Sequence, residues 1–256
     1  MPIRPEQSAM LRGGYRELPD RRANRGIAPG LQRPQNLKSG EQIHPGPMPG
    51  SEGAWAGWVP VGDTPIAPFA LASYRSMVFE DPTWDPNRFD FDRDLAFSRA
   101  KLTSSLERAN PDLRAFRAMG HKVLHIHGWS DPATTPQASI AYFETVKMVL
   151  AADAAARGMK PPDAQDFYRL FMVPGMYHCA GGPGTDTFDG LAALVAWVEQ
   201  GQTPDRITAA HMTDGRPDKT RPLCPYPQVA RYTGTGSMNQ ASSFTCVSPD
   251  TASQLP

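Results

Sequence analysis

The stretch FYRLFMVPGMYHCAGGPG, residues 167–184, decides the fold. Phe167 to Val173 is an apolar run stopped by Pro174-Gly175, and it reads as a β-strand. The loop behind it places His178 beside Cys179 among glycines, a setting that suits a catalytic base. Working outward, Lys122–His127 reads as another short strand, stopped by Gly128. Between them, Pro136 to about Arg157 reads as a helix with Ile140, Phe143, Val146 and Val149/Leu150 on one face. Asn110-Pro111-Asp112 opens a helix that Gly120 ends. Phe188, Leu191, Leu194/Val195 and Val198 mark a further amphipathic helix, ended by Gly201.

The order helix, strand, helix, strand, helix implies an α/β fold with neighbouring parallel strands and helices on the faces. Two strands are too few for such a sheet, and no convincing third strand precedes them. Residues 110–256 therefore read as the end of a larger α/β domain. An unfinished edge along KVLHIH, residues 122–127, predicts association or poor solubility. Residues 1–109 carry few periodic patterns and read as an irregular segment of the kind that lies on another domain.

Composition limits the function classes. Across 256 residues, 26 Lys+Arg balance 26 Asp+Glu, so no electrostatic argument for nucleic acid or an anionic membrane follows. No apolar run approaches the length needed to span a bilayer, and the first residues lack the apolar core of a signal peptide. The 27 prolines and 22 glycines point to much irregular backbone.

Two loops qualify for chemistry, because working residues of open α/β sheets sit at the carboxyl ends of strands. One is His127-Gly-Trp-Ser-Asp131, the other Pro174-Gly-Met-Tyr-His178. An acid after one strand and a histidine after the next is the back half of a Ser-His-Asp relay, in the chain order of α/β-hydrolases. The plainer readings are that Asp131-Pro132 is a turn or helix cap and that His178 is structural. A metal reading of His121, His125, His127 and Asp131 fails on spacing, and the histidines read as structural. No Gly-x-Ser-x-Gly precedes Asp131, and Gly234-Thr-Gly-Ser237 follows the histidine, in the wrong order. Cys179 is a poor nucleophile candidate, since side chains of adjacent residues point different ways. Cys224 and Cys246 lie in a proline- and glycine-rich segment with little periodic core. A disulfide between them would stabilise it by about 3 kcal/mol, leaving Cys179 as the odd thiol.

The blocks HGWSDP, FYRLFMVPGMYHCAGGPG, FDGLAALVAWVEQGQTPDRI and TRPLCPYPQVARYTGTGS, with the later FTC, resemble the tannase and feruloyl esterase family. The resemblance runs from about residue 110 to Cys246. A weaker one covers EDPTWDPNRFDFDRD and MPIRPEQSAMLRGGYREL, the latter similar to a helix at the end of the family's lid. The resemblance implies the C-terminal part of an α/β-hydrolase fold over 110–256 and a lid-derived, connecting segment over 1–109. It makes Asp131 the triad acid and His178 the base. It makes Cys179 one half of a disulfide whose partner, beside the nucleophilic serine, is not in these residues, and it makes Cys224–Cys246 a second, structural disulfide. It further implies aromatic ester substrates such as feruloyl or galloyl esters, a secreted or periplasmic location, and a missing N-terminal part of the same enzyme as partner. No metal or cofactor is expected in this chain, because the family's calcium-binding lid loop is absent. The competing expectation is a non-catalytic remnant or binding module, with Trp55, Trp58, Trp84, Phe79 and Tyr74 lining a surface for an aromatic ligand.

Overall fold

A computed structural model describes residue 40 and residues 42–60, 66–106 and 110–249. The lid-helix resemblance at residues 1–18 lies outside the described residues. The described residues divide into two compact units, those up to 110 together with 131–135 in one, and 111–130 with 136–249 in the other.

In the first unit a short helix, α1 (Pro68–Ser73), runs into a π-helical turn over Tyr74–Val78. A longer helix, α2 (Arg93–Leu106), follows. Asp90 opens α2 by accepting the backbone N–H groups of Asp92 and Arg93, each at 2.9 Å, which satisfies donors that a helix start leaves orphaned. Between the helices, rings take the place of a layered core. Phe79 stacks on Trp84 at 4.8 Å and on Phe97 at 5.8 Å, Trp84 stacks on Tyr74, and Phe89 meets Tyr74 edge-on. Trp58 packs on Phe69, and Trp55 donates its indole N–H to Ser51 Oγ at 2.9 Å. The aromatics singled out as a ligand surface thus pack against their own neighbours.

The second unit is the α/β part. Helix α3 (Arg114–Ala118) starts later than Asn110, because Leu113 N–H turns back to Pro111 O and the Asp112 carboxylate is taken by the Arg114 side chain. Strand β1 (Val123–Gly128) and strand β2 (Tyr168–Val173) pair in parallel, with His125 opposite Leu170 and His127 opposite Met172. The crossover between them is helix α4 (Pro136–Ala156). Its Phe143, Val146 and Leu150 bury against Tyr168, Leu170 and Met172 on one face of β2. The opposite face, Phe171 and Val173, packs on Met176, Ile207, Ala209 and Leu223. Helix α5 (Gly190–Gln200) lies against β1; Asp189 caps its start, and Gly201 ends it in the left-handed conformation.

The apolar residues Leu191, Val195 and Val198 that mark α5 in the sequence are 72%, 40% and 58% exposed, and Trp197 is the residue it buries. The C-terminal segment also has more regular structure than its composition suggested. Strands β3 (Ile207–Thr213) and β4 (Arg216–Leu223) form an antiparallel hairpin, and β5 (Val229–Tyr232) pairs with β6 (Phe244–Val247). Asp214 and Gly215 turn the hairpin, both with positive φ, as a two-residue loop demands. Cys224, just after β4, is disulfide-bonded to Cys246 in β6, so the bond ties the hairpin to the second strand pair.

Candidate active site

The site is built at the carboxyl ends of β1 and β2. Because these strands are parallel neighbours in register, their following loops leave from the same edge. The loops are fastened together: Trp129 N–H donates to Val173 O at 2.9 Å, and Ser130 N–H donates to Met176 O at 3.0 Å. Gly128 is required here, since a Cβ on it would collide with the carbonyl oxygens of Met176 and Tyr177. Backbone approaches backbone so closely that no side chain fits between.

His178 projects from a self-bonded loop. Tyr177 N–H donates to Gly181 O at 3.1 Å, Ala180 N–H to His178 O at 2.8 Å, and Gly184 N–H to Gly175 O at 3.2 Å. The Asp186 carboxylate accepts Gly181 N–H at 2.6 Å. Gly184 has no room for a Cβ, which would run into Pro174 O. These bonds fix the backbone on both sides of a half-buried imidazole. Cys179 sits exposed with φ of +65°, an uncommon conformation for a residue with a Cβ, and among the described residues it has no disulfide partner. Strain of this kind collects at working sites.

Asp131 lies three residues past β1 and is only 4% exposed. Its Oδ1 accepts the N–H groups of Ala133 at 2.8 Å and Thr134 at 3.0 Å, and its Oδ2 accepts Thr134 Oγ1 at 3.0 Å. The turn reading of Asp131-Pro132 therefore has a real counterpart. It does not compete with a catalytic role, because a triad carboxylate must itself be held still. The structure shows each of Asp131 and His178 in its own immobilised loop.

The strand histidines have a different use. His125 Nδ1 and Tyr168 Oη share a hydrogen bond of 2.7 Å, Ser139 Oγ bridges to His125 Nε2 at 3.1 Å and to His127 Nδ1 at 2.6 Å. Both ring nitrogens of His125 are thus occupied. Burial, and secondarily the neighbouring His127, push His125 down to about 4, so the ring is neutral at pH 7. Burial likewise raises the Tyr168 hydroxyl, keeping it protonated. Sequence reading assigned this pair a structural part but did not find Ser139 or Tyr168. Ser139, three residues into a helix that crosses back over the strand, was the available signal.

Comparison with known proteins adds a family. The profile of the tannase and feruloyl esterase family matches residues 23–247. The chain is 36% identical to an uncharacterised esterase of Xanthomonas campestris pv. campestris, over 85% of this chain and 44% of that one. It is 44% identical to the mono(2-hydroxyethyl) terephthalate hydrolase of Piscinibacter sakaiensis, over 63% of this chain and 27% of that one. Its structure superposes on crystalline feruloyl esterase B from Aspergillus oryzae with a TM-score of 0.69 and 30% identity, over 85% of this chain and 44% of that one. The chain thus spans less than half the length of these relatives. With an α/β arrangement, an acid and a histidine after successive parallel strands, and a family match over most of its residues, the chain belongs to the tannase and feruloyl esterase family.

Proposed function

We propose that this chain supplies the acid and base half of a serine carboxylic-ester hydrolase acting on aromatic esters. His178 takes the proton of a serine hydroxyl as it attacks the ester carbonyl, then returns it to the departing alcohol. Asp131 fixes the imidazole tautomer and stabilises the imidazolium. Water then repeats the cycle on the acyl-enzyme, with His178 again as base. The observation that carries this reading is the placement of Asp131 and His178 after two adjacent parallel strands whose loops are bonded to each other. The names of the relatives support the ester class, and feruloyl, galloyl or terephthaloyl esters are the substrates to test.

The nucleophile comes from a segment outside these 256 residues. No Gly-x-Ser-x-Gly precedes Asp131, and the described residues upstream are short helices and packed aromatic rings rather than a strand-turn-helix that would expose a serine. The oxyanion hole, built from backbone N–H groups beside the nucleophile, comes with it. In this reading the exposed Cys179 is the base-loop half of a disulfide to the nucleophile loop. Disulfides persist in oxidising compartments, so this reading, with Cys224–Cys246, favours a periplasmic or extracellular enzyme.

The test is hydrolysis of methyl ferulate, methyl gallate and mono(2-hydroxyethyl) terephthalate. The chain by itself is expected to show no turnover above buffer. Co-expressed with a polypeptide carrying the portion of the Xanthomonas esterase outside the match, it is expected to gain activity. His178→Gln or Asp131→Asn should then lower kcat by about 10³-fold or more, the scale of triad removal. Turnover by the chain alone, or activity indifferent to both substitutions, would refute the reading.

A further inference from the structure

We propose that the hairpin β3–β4 braces the loop that carries His178, and that Asp186 is the positioning residue through which the brace orients the imidazole. This inference deepens the function proposed above and rests on that reading.

The loop needs a brace because its backbone does not hold its shape unaided. Between Cys179 and Gly182, three residues of the four have positive φ: Cys179 at 65°, Gly181 at 77° and Gly182 at 95°. Glycine enters that region freely, and a cysteine does not. At Gly182 the backbone approaches Gly175 O so closely that a Cβ would collide with it. A turn of this kind persists only when its surroundings over-determine it. Strand β2 ends at Val173, before the loop begins.

The hairpin reaches the loop at three points. At the entrance, Met176 is buried in one cluster with Ile207, Ala209 and Leu223 of the hairpin. In the middle, Lys219 Nζ of β4 donates to Pro183 O at 3.2 Å. At the exit, Thr187 and Ala210 of β3 exchange both backbone hydrogen bonds, at 3.0 and 2.8 Å. The brace is itself fixed, since its Ile207, Ala209 and Leu223 are almost fully buried.

Asp186 carries that support to the turn. It precedes Thr187, so the bonds to Ala210 set its backbone. Its Oδ2 accepts Gly181 N–H at 2.6 Å, a short bond of the kind an ionised acceptor makes. Gly181 O in turn accepts Tyr177 N–H at 3.1 Å, closing the turn around His178, Cys179 and Ala180. Gly181 is thus held from both sides, and the backbone on which the imidazole stands is tied to one carboxylate. The stake is large, because a misplacement of about 1 Å in a reacting group costs about 10²-fold in rate.

The experiment is NMR on the full 256-residue chain labelled with 15N, as the parent and as Asp186→Ala, Asp186→Asn and Lys219→Met. In the parent, the Gly181 amide should exchange at least about tenfold more slowly than an unprotected glycine amide. Asp186→Ala should abolish that protection and shift the ring signals of His178. The ring signals of His125 and His127, in the buried network, should stay in place; a general loss of stability would not single out His178. Asp186→Asn keeps an acceptor oxygen and should return the His178 signals to those of the parent. Lys219→Met should move them in the direction of Asp186→Ala by a smaller amount. Co-expressed with the unmatched portion of the Xanthomonas esterase, Asp186→Ala should lower kcat at least about tenfold and change KM by less than about twofold. An unprotected Gly181 amide in the parent would overturn the proposal. So would His178 signals that Asp186→Ala leaves in place, or that move only together with those of His125 and His127. Should Asp186→Ala fail to fold, the parent amide and Lys219→Met decide, and a His178 indifferent to Lys219→Met then overturns the brace. His178 signals that move as expected, in a complex whose ester hydrolysis ignores His178→Gln, would keep the brace and remove the catalytic reading instead.

Discussion

Strands β1 and β2 are of equal length, share one sheet and read alike in sequence, yet they end in different states. Strand β2 is buried on both faces and closed on both edges, by β1 on one side and by Pro225–Tyr226 on the other. Strand β1 is half-buried along most of its length and, among the described residues, paired on one edge only. The difference lies not in the strands but in what has been provided around them. A strand's burial is set by its neighbours, so two strands of similar composition in one sheet can differ in how completely they are covered.

The comparison can be broken most severely at Leu170, which is wholly buried in β2 between α4 and the strand pair. Leu170→Ala should cost about 3–4 kcal/mol, within the range for a core leucine left as a cavity, measured by urea unfolding of the chain alone. Leu124→Ala, opposite Arg169 and one register position earlier on β1, should cost only about 1 kcal/mol in the same experiment, because that side chain is only half-buried. In the co-expressed complex the two costs should converge. Equal costs in the chain alone would remove the contrast between the strands.

Acid provides a second probe, directed at the polar side of β1. His125 titrates at about 4 in the folded protein and near 6.5 unfolded. A folded-state value below the unfolded one means that the unfolded chain binds the extra proton between these limits. Stability is then complete above pH 6.5, falls as pH drops toward 4, and levels off below it. At 1.36 kcal/mol for each pH unit the loss approaches about 3 kcal/mol as an upper limit. Melting at pH 7 and pH 4.5 measures it, and His125→Gln, which cannot take the proton, should remove most of the difference. Ser139→Ala should cost about 1–3 kcal/mol at pH 7, because it breaks both hydrogen bonds that Ser139 makes to the rings.

The smallest effect is chemical rather than energetic. Iodoacetamide applied to the native, unreduced chain should modify one cysteine, Cys179, while Cys224 and Cys246 remain bonded. Three modified cysteines would refute the pairing.

Much of this was legible in the sequence, and the failures have physical causes. Both parallel strands and α4 were readable because burial on a sheet forces apolar runs and a 3.6-residue period. Helix α5 was readable as an amphipathic helix, but not which of its residues are buried: Trp197 is, and Leu191, Val195 and Val198 are exposed. Periodicity reports that a face is apolar; it does not say whether the element that covers it lies within the same chain. The hairpin β3–β4 escaped because only its open end, with Ile207, Ala209, Pro222 and Leu223, is buried, while the rest of β4 is polar, interrupted by Pro217 and more exposed. The Asp214-Gly215 dipeptide was the signal that would have found it. Helix α2 escaped for a related reason, having little apolar periodicity of its own. The positions of Asp131 and His178 behind two parallel strands were legible because the strands themselves were. The Tyr168–His125–Ser139–His127 network was only half legible, since it joins a strand to a helix that returns over it.

The most direct measurement is labelling with a serine-reactive fluorophosphonate, read by intact mass and peptide mapping. The expected result is no adduct on the chain alone. With the co-expressed portion of the Xanthomonas esterase, one adduct should appear on a serine of that partner, and it should vanish with His178→Gln. A stoichiometric adduct on any serine of these 256 residues, or partner labelling unaffected by His178→Gln, would contradict the assignment of this chain as the acid and base half of the enzyme.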